Sequence, residues 1–449
     1  MPGADTERLP EDAAWKRTRD FTLLWGGSGI SQLGNVGAAI AAPLLALSVT
    51  GSPVLAGAVA AAGTLPSLLL HLPAGMIVDR FDRRLLMLTC QGLRCAVALA
   101  LTCGLLVLSA PWPLLIAAAA ADGALAAVYN LAEVTVIGRL VPDGQLVAAM
   151  ARNEARHHTA LLLGRPLGGF LFDLGRVVPF AVNAVLALLA ALSIGAIKAE
   201  NIRSAEPSDA PGAGGGFAEC MALLWRDVFL RRVLVICAIT NFAFQTIFLL
   251  LMVQADRQIA SNAMIGVLFA ASGLGGLLGS LAARRFLPGR QPRAVVLLCV
   301  WGWAAMTGVV ALLDRPLTGL AAWAGISFIG AHMNVALTTY RAARIPDDLL
   351  ARMASVNTFV TRGAVPLGAL FAGYLLSTVP STRFAAVMVA AITLVVAVTY
   401  TLRGRWVRRA VRRARRSIRR EPAAPMLDPE IQAGTKSRFR AAENMSHQR

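Results

Sequence analysis

What most constrains this chain is a succession of apolar runs, each about 20 residues long, that follow one another almost without pause from Phe21 to Leu402. A helix needs roughly that many apolar residues to cross a hydrocarbon core of about 30 Å. Only helices and closed barrels satisfy their backbone hydrogen bonds in lipid, and long, closely spaced runs read as helices. Twelve spans are predicted, near residues 21 to 49, 54 to 78, 85 to 109, 112 to 137, 146 to 172, 177 to 198, 231 to 254, 262 to 283, 294 to 313, 317 to 340, 349 to 377 and 383 to 402. With 56% hydrophobic and 15% charged residues, the chain is too apolar for a soluble protein of this length. Residues ahead of Phe21 are charged and hold no apolar stretch, so no cleaved secretory signal is expected.

In a soluble protein a net charge of +18 would suggest nucleic acid; here the informative question is on which side of the membrane each cation falls. With the N-terminus inside, the tails, the inner loops and the inner ends of the spans hold 36 of the 43 Lys and Arg, and the outer loops hold Arg176, Arg257, Arg315 and Arg383. Three more, Arg94, Arg165 and Arg362, lie deeper within spans. This asymmetry fits the positive-inside rule and places both termini in the cytoplasm of a multi-pass inner or plasma membrane protein. Cys90, Cys95, Cys103, Cys220, Cys237 and Cys299 sit in or beside apolar spans without the spacing of a zinc site or disulfide framework. They read as packing residues, and no metal or other cofactor is expected.

A polar stretch from Glu200 to Gly216 divides the spans six and six. The expected organisation is a cytoplasmic tail (1 to 20), a first six-helix bundle (21 to 198), a cytoplasmic linker (199 to 230), a second six-helix bundle (231 to 402) and a basic cytoplasmic tail (403 to 449). The halves echo one another. Gly75 opens GMIVDRFDRR and Gly279 opens GSLAARRFLPGR; Pro142 and Pro346 precede the fifth span of each half; Pro166-Leu167-Gly168 and Pro366-Leu367-Gly368 fall inside those spans. Three echoes in order point to a duplicated six-helix unit. The fold class is an all-α membrane protein of two pseudo-symmetric halves, with a substrate site between them.

GMIVDRFDRR is similar to the signature Gly-x-x-x-Asp-Arg-x-Gly-Arg-Arg between spans two and three of the major facilitator superfamily: Gly75, Asp79, Arg80, Arg83 and Arg84 match, and Asp82 replaces a glycine. The opening FTLLWGGSGISQLGNVG and the turn from Thr50 to Pro53 resemble the subgroup of enterobactin and macrolide exporters. The resemblance implies secondary transport of a small organic molecule such as a drug, siderophore or secondary metabolite, by a monomer, in the export direction. In the signature loop, Asp79 at a helix end would face the positive dipole of a helix from the other half, and the arginines would pair with carboxylates to hold the cytoplasmic side shut. Alternatively these arginines only enforce topology.

An ionisable group near the bilayer centre costs about 2.5 to 3.5 kcal/mol on insertion scales, so each needs a partner or a purpose. Asp122 in span four, Arg94 in span three and Arg165 in span five lie at similar depth. Spans one, four, seven and ten line the cavity in the proteins this chain resembles, which makes Asp122 the leading candidate for proton coupling. The competing reading is a structural ion pair with Arg94 or Arg165. In the same spans Gln32, Asn35, Asn241, Gln245, His332 and Asn334 are candidates to orient a polar substrate, and Arg362 in span eleven could attract an anionic group. Glu133, Glu154, His157 and His158 lie toward cytoplasmic ends and read as snorkelling groups. Exporters of this superfamily often carry Gly-Pro-x-x-Gly-Gly in span five; Gly164-Arg165-Pro166-Leu167-Gly168-Gly169 puts arginine at the proline position.

Residues Arg403 to Arg420 hold ten arginines, with Val407, Val411, Ala414 and Ile418 at helical spacing. This reads as an amphipathic helix on anionic lipids of the inner leaflet rather than a nucleic-acid arm. No Walker-type loop or catalytic cluster points to an enzyme. A non-transporting receptor or scaffold on the same fold is the alternative to a transporter.

Overall fold

The computed structural model describes residues 19–70, 77–78, 80–108, 111–140, 146–197, 227–258, 261–286, 290–312, 316–342, 347–379 and 381–418. They form twelve long helices. The first half comprises α1 (Arg19–Thr50), α2 (Pro53–Leu69), α3 (Arg83–Val107), α4 (Trp112–Leu140), α5 (Leu146–Leu174) and α6 (Val178–Gly195). The second comprises α7 (Val228–Gln258), α8 (Asn262–Phe286), α9 (Pro292–Leu312), α10 (Pro316–Ala342), α11 (Asp347–Thr378) and α12 (Thr382–Ile418). Each predicted span has its helix. Gly75, Asp79, Pro142, Cys220 and Pro346 lie outside the described residues, as do the side chains of Glu154 and of 403 onward.

Boundaries follow local chemistry. Gly51 has φ of +65°, a region open to glycine without a Cβ penalty, and reverses the chain between α1 and α2. Ser52 then caps α2, its hydroxyl accepting from the Leu55 amide at 3.4 Å, with Pro53 at the first helical position. Asp82, the departure from the signature glycine, caps α3: its carboxylate accepts from the Leu85 amide at 2.8 Å. Asp227 does the same for α7, bonding the Phe229 and Leu230 amides at 2.8 and 3.1 Å, which starts this helix three residues earlier than expected. The last helix runs to Ile418, where the sequence suggested a span ending at Leu402 and a separate basic helix.

Ten of the twelve helices are long and apolar enough to cross a membrane by themselves. The other two are α2, which is described to Leu69, and α5, whose first half carries Arg152, Glu154, Arg156 and two histidines.

Backbone packing repeats between the halves. A Cβ on Gly168 of α5 would stand 2.5 Å from the Gly37 carbonyl of α1, and one on Gly368 of α11 would strike the Phe242 carbonyl of α7. Within the first half Gly123 of α4 packs on Gly63 of α2; within the second Gly275 and Gly279 of α8 pack on Ala324 and Phe328 of α10. The fifth helix thus lies on the first, and the second on the fourth, in each half. Between halves, α2 meets α11 and α5 meets α8. The face of the bundle bearing Gly51, Gly175 and the start of α8 is called distal below, and the face where α1 begins proximal. Among the described residues both cross-half seams are tightest near the distal face: Gly57 would place a Cβ 2.5 Å from the Ala369 carbonyl, and Gly266 one 2.5 Å from the Arg165 carbonyl.

Candidate functional site

A cavity of about 360 Å³ lies where the helices of the first half meet α7. Its walls are mainly Ala, Val, Leu and Ile, with Phe244 and Phe248 of α7 on the side of the second half. Those rings are held by the aromatic core behind them: Phe244 stacks on Trp323 at 4.3 Å between centroids, and Phe248 packs at a tilt against Phe269 at 4.5 Å. Among the polar side chains on the wall are Asn35, Asp122, Arg165, Asn183 and Gln245.

Asp122 anchors a polar cluster built from three helices. Arg94 of α3 donates from Nε to Asp122 Oδ1 at 2.8 Å, and Asn35 of α1 donates from Nδ2 to Oδ2 at 2.8 Å. The Arg94 side chain is 4% exposed and that of Asp122 25%, so the carboxylate reaches the cavity while the guanidinium sits behind it. Arg94 Nη1 also donates to Ser31 Oγ at 3.0 Å and lies 3.4 Å from Gln91 Oε1; the Ser31 hydroxyl and the Gln91 side chain bond each other. Of the two arginines weighed as partners for Asp122, Arg94 takes the carboxylate.

Arg165 instead reaches across the seam. Its Nη1 donates to the Phe269 carbonyl of α8 at 2.7 Å and to Ser272 Oγ. At the distal end of the same helix pair, Asp173 of α5 caps α8 from the other half. It accepts from the Asn262 and Ala263 amides at 2.9 and 2.8 Å and from the Asn262 and Ser261 side chains at 2.8 and 2.9 Å. Asp173 lies past the apolar stretch of α5; partial burial pushes its carboxyl up, but these bonds outweigh it and hold it below the usual carboxylate range.

A second buried ion pair sits nearer the proximal face. Arg156 donates to both oxygens of Glu133, at 2.7 and 3.0 Å, with side chains 4% and 3% exposed. This corrects one reading: Glu133 does not snorkel to solvent but is paired inside the bundle with Arg156. The cause is a contact between α4 and α5 that neither local sequence announces.

The remaining sequence candidates scatter. Gln245 lines the cavity. Asn241 donates to the Cys237 carbonyl and His332 bonds the Phe328 carbonyl, each within its own helix. Gln32, Asn241, His332, Asn334 and Arg362 are not on the wall of this cavity, and Asn334 and Arg362 are exposed. Of the signature residues, Arg80 is exposed and Arg83 is buried at the start of α3. Arg84 donates to the Gly195 carbonyl at 2.6 Å, which is the C-terminal end of α6 in the same half rather than a carboxylate.

A model of the Major Facilitator Superfamily matches residues 24–362. The multidrug efflux pump Tap of Mycolicibacterium fortuitum is 24% identical over 361 residues, covering 79% of this chain and 87% of that one. The lysophospholipid transporter LplT of Yersinia pestis is 31% identical over 218 residues, 47% of this chain and 51% of that protein, so the match spans about half of each. Among solved structures, the nucleoside transporter NupG superposes with a TM-score of 0.68 at 11% identity, covering 86% of this chain and 99% of NupG. A bacterial homologue of the iron transporter ferroportin in an inward-facing state gives 0.63 at 14% identity, covering 85% and 98%.

Proposed function

The chain belongs to the major facilitator superfamily, and on that premise we propose that this multi-pass membrane transporter exports a small organic molecule by alternating access, in exchange for protons carried by Asp122. The observation that carries the proposal is the carboxylate at the wall of a cavity bounded by both halves, paired with Arg94 yet partly open to the cavity.

The cluster suits a proton exchange. A proton arriving on Asp122 removes the charge that holds Arg94. The guanidinium then keeps Ser31 and Gln91, both already within hydrogen-bond reach, so it is not left bare in an apolar bundle. Asn35 continues to donate to Oδ2 in either protonation state. Neutralising Asp122 leaves the Arg94 charge hydrogen-bonded but uncompensated, and a carboxylate that carries charge in one state only can bias two conformers differently.

The sealed distal seams support a state in which the cavity is reached from the proximal face. The excess of Lys and Arg at that face supports its being cytoplasmic, in a cell membrane with both termini inside. Export is supported by the relative named as an efflux pump. The basic residues Arg403 to Arg420 would bind anionic lipids of the inner leaflet, and the working unit would be a monomer. Purified protein in liposomes, loaded with a fluorescent amphiphile and given an inward proton gradient, tests the coupling. Gradient-driven efflux should be lost in Asp122→Asn while exchange without a gradient persists; unchanged gradient-driven efflux at equal protein removes Asp122 from the role.

A further inference from the structure

We propose that Arg165 is the substrate-anion residue of this cavity, which selects amphipathic organic anions and couples their binding to release of the distal seam. The inference rests on the cavity being the transport site and names the class of molecule it takes.

Two arginines serve the cavity, and they are not equivalent. The charge of Arg94 is cancelled by Asp122. Arg165 lines the wall, and among the described residues no carboxylate lies within 4.0 Å of its guanidinium. Its partners are neutral oxygens, the Phe269 carbonyl and Ser272 Oγ, and both bonds come from Nη1. Ser272 is itself buried and committed to the same carbonyl at 2.8 Å. Nε and Nη2 have no partner among the described residues, which leaves the side of the fork suited to a two-point contact with a carboxylate, sulfonate or phosphate. The wall therefore carries one uncancelled positive charge in surroundings otherwise mostly apolar, where attraction for an anion is far less screened than in water. A molecule with an apolar body and one anionic end matches both properties.

The same geometry ties the anion to the conformational step. The bonds from Nη1 exist only while α5 and α8 are in contact, where Gly266 packs on the Arg165 carbonyl. Opening the distal seam breaks both and leaves the guanidinium facing the cavity. A bound anion replaces the lost partners and so favours the open seam; a neutral molecule of the same shape offers no such compensation.

The test compares 8-(dansylamino)octanoate with its methyl ester, by fluorescence titration of the full chain in lipid nanodiscs. Wild type should bind the anion at least tenfold more tightly than the ester, and the ratio should fall to about one in Arg165→Gln and in Arg165→Met, either of which suffices if the other does not fold. Arg165→Lys should restore at least fivefold preference, because a cation remains. Spin labels at Arg176 and Arg257 should show the anion, and not the ester, enriching the longer distances. The proposal is overturned if wild type shows no preference or binds neither probe, if the preference survives in Arg165→Gln or Arg165→Met, or if the anion leaves the distances unchanged. Counterflow of both probes in proteoliposomes separates this from the transporter reading. Transport without charge preference removes the anion role alone; preferential binding without counterflow of either probe removes transport and leaves the anion site standing.

Discussion

Replacing Gly57 and Gly266 together by alanine should open the distal face without unfolding the protein. The new Cβ atoms would stand 2.5 Å from the Ala369 and Arg165 carbonyls, backbone oxygens that cannot rotate aside. An ordinary contact begins at 3.4 Å, so each seam must part by about 0.9 Å. Forcing an extra carbon into a packed interface costs about 1 to 3 kcal/mol. That cost falls only on the conformer in which the seams are closed, because a conformer with the seams parted leaves space for the methyl groups. The two positions lie on different helix pairs, α2 with α11 and α5 with α8, so their effects should nearly add. Even the lower bound of about 2 kcal/mol shifts the ratio of closed to open conformers by roughly 30-fold. The readout is the distance between spin labels at Arg176 and Arg257, exposed positions at the distal ends of opposite halves, in a cysteine-free background. The ratio of longer to shorter distances should rise by roughly 30-fold or more in the double variant, with each single variant intermediate. A folded double variant with the wild-type distance distribution would refute the reasoning.

Four further outcomes follow from the same contacts. Gly168→Ala, which presses on the Gly37 carbonyl within one half at the same 2.5 Å, should lower the melting temperature by the equivalent of about 1 to 3 kcal/mol yet leave the distal distances alone. Arg156→Met should cost about 3 to 5 kcal/mol in thermal unfolding, because it strands the buried Glu133 carboxylate, whereas Arg156→Met with Glu133→Leu should recover most of the loss. Asp122→Asn should be milder in the same assay, since the amide oxygen can still accept from Arg94, which also retains Ser31 and Gln91. Asp173→Ala should weaken the distal closure by about 1 kcal/mol through loss of the cap on α8. Because the Asp173 carboxyl is held below its ordinary range, that contribution is complete at neutral pH and disappears only as pH falls through the lowered value. In the Asp122→Asn background, which removes the proposed proton site, label distances should therefore hold from about pH 8 to about pH 5 and lengthen only in stronger acid.

The helices were legible because each must carry its own apolar run across lipid, and that requirement is local. The duplication was legible for a related reason: Gly168 and Gly368 are each needed where the fifth helix of a half presses its backbone on the first, so the same tripeptide recurs in both. Asp122 stood out by cost alone, as a carboxylate inside a span. Its partner did not, since Arg94 and Arg165 lie at similar depth and only the packing of α3 against α4 decides between them. The same limit hid the Arg156 and Glu133 pair, 23 residues apart on different helices, and turned a presumed surface carboxylate into a buried one. Asp173 gave no signal in its own helix because the end it caps belongs to α8, 89 residues on. Asp82 could be explained only once α3 was seen to begin at Arg83 with that side chain as its cap. Pairings between helices depend on rotation and depth, which a hydrophobic pattern does not encode.

The central claim is that one cavity between two halves opens to one face at a time. A single cysteine at Ala39, on the cavity wall, introduced into a cysteine-free chain in vesicles of known orientation, tests it with a membrane-impermeant maleimide applied to each side in turn. The expected result is reaction from the proximal face in the otherwise unaltered protein and from the distal face once Gly57 and Gly266 are both alanine. Reaction from the same face in both, or from both faces at equal rate in either, contradicts it.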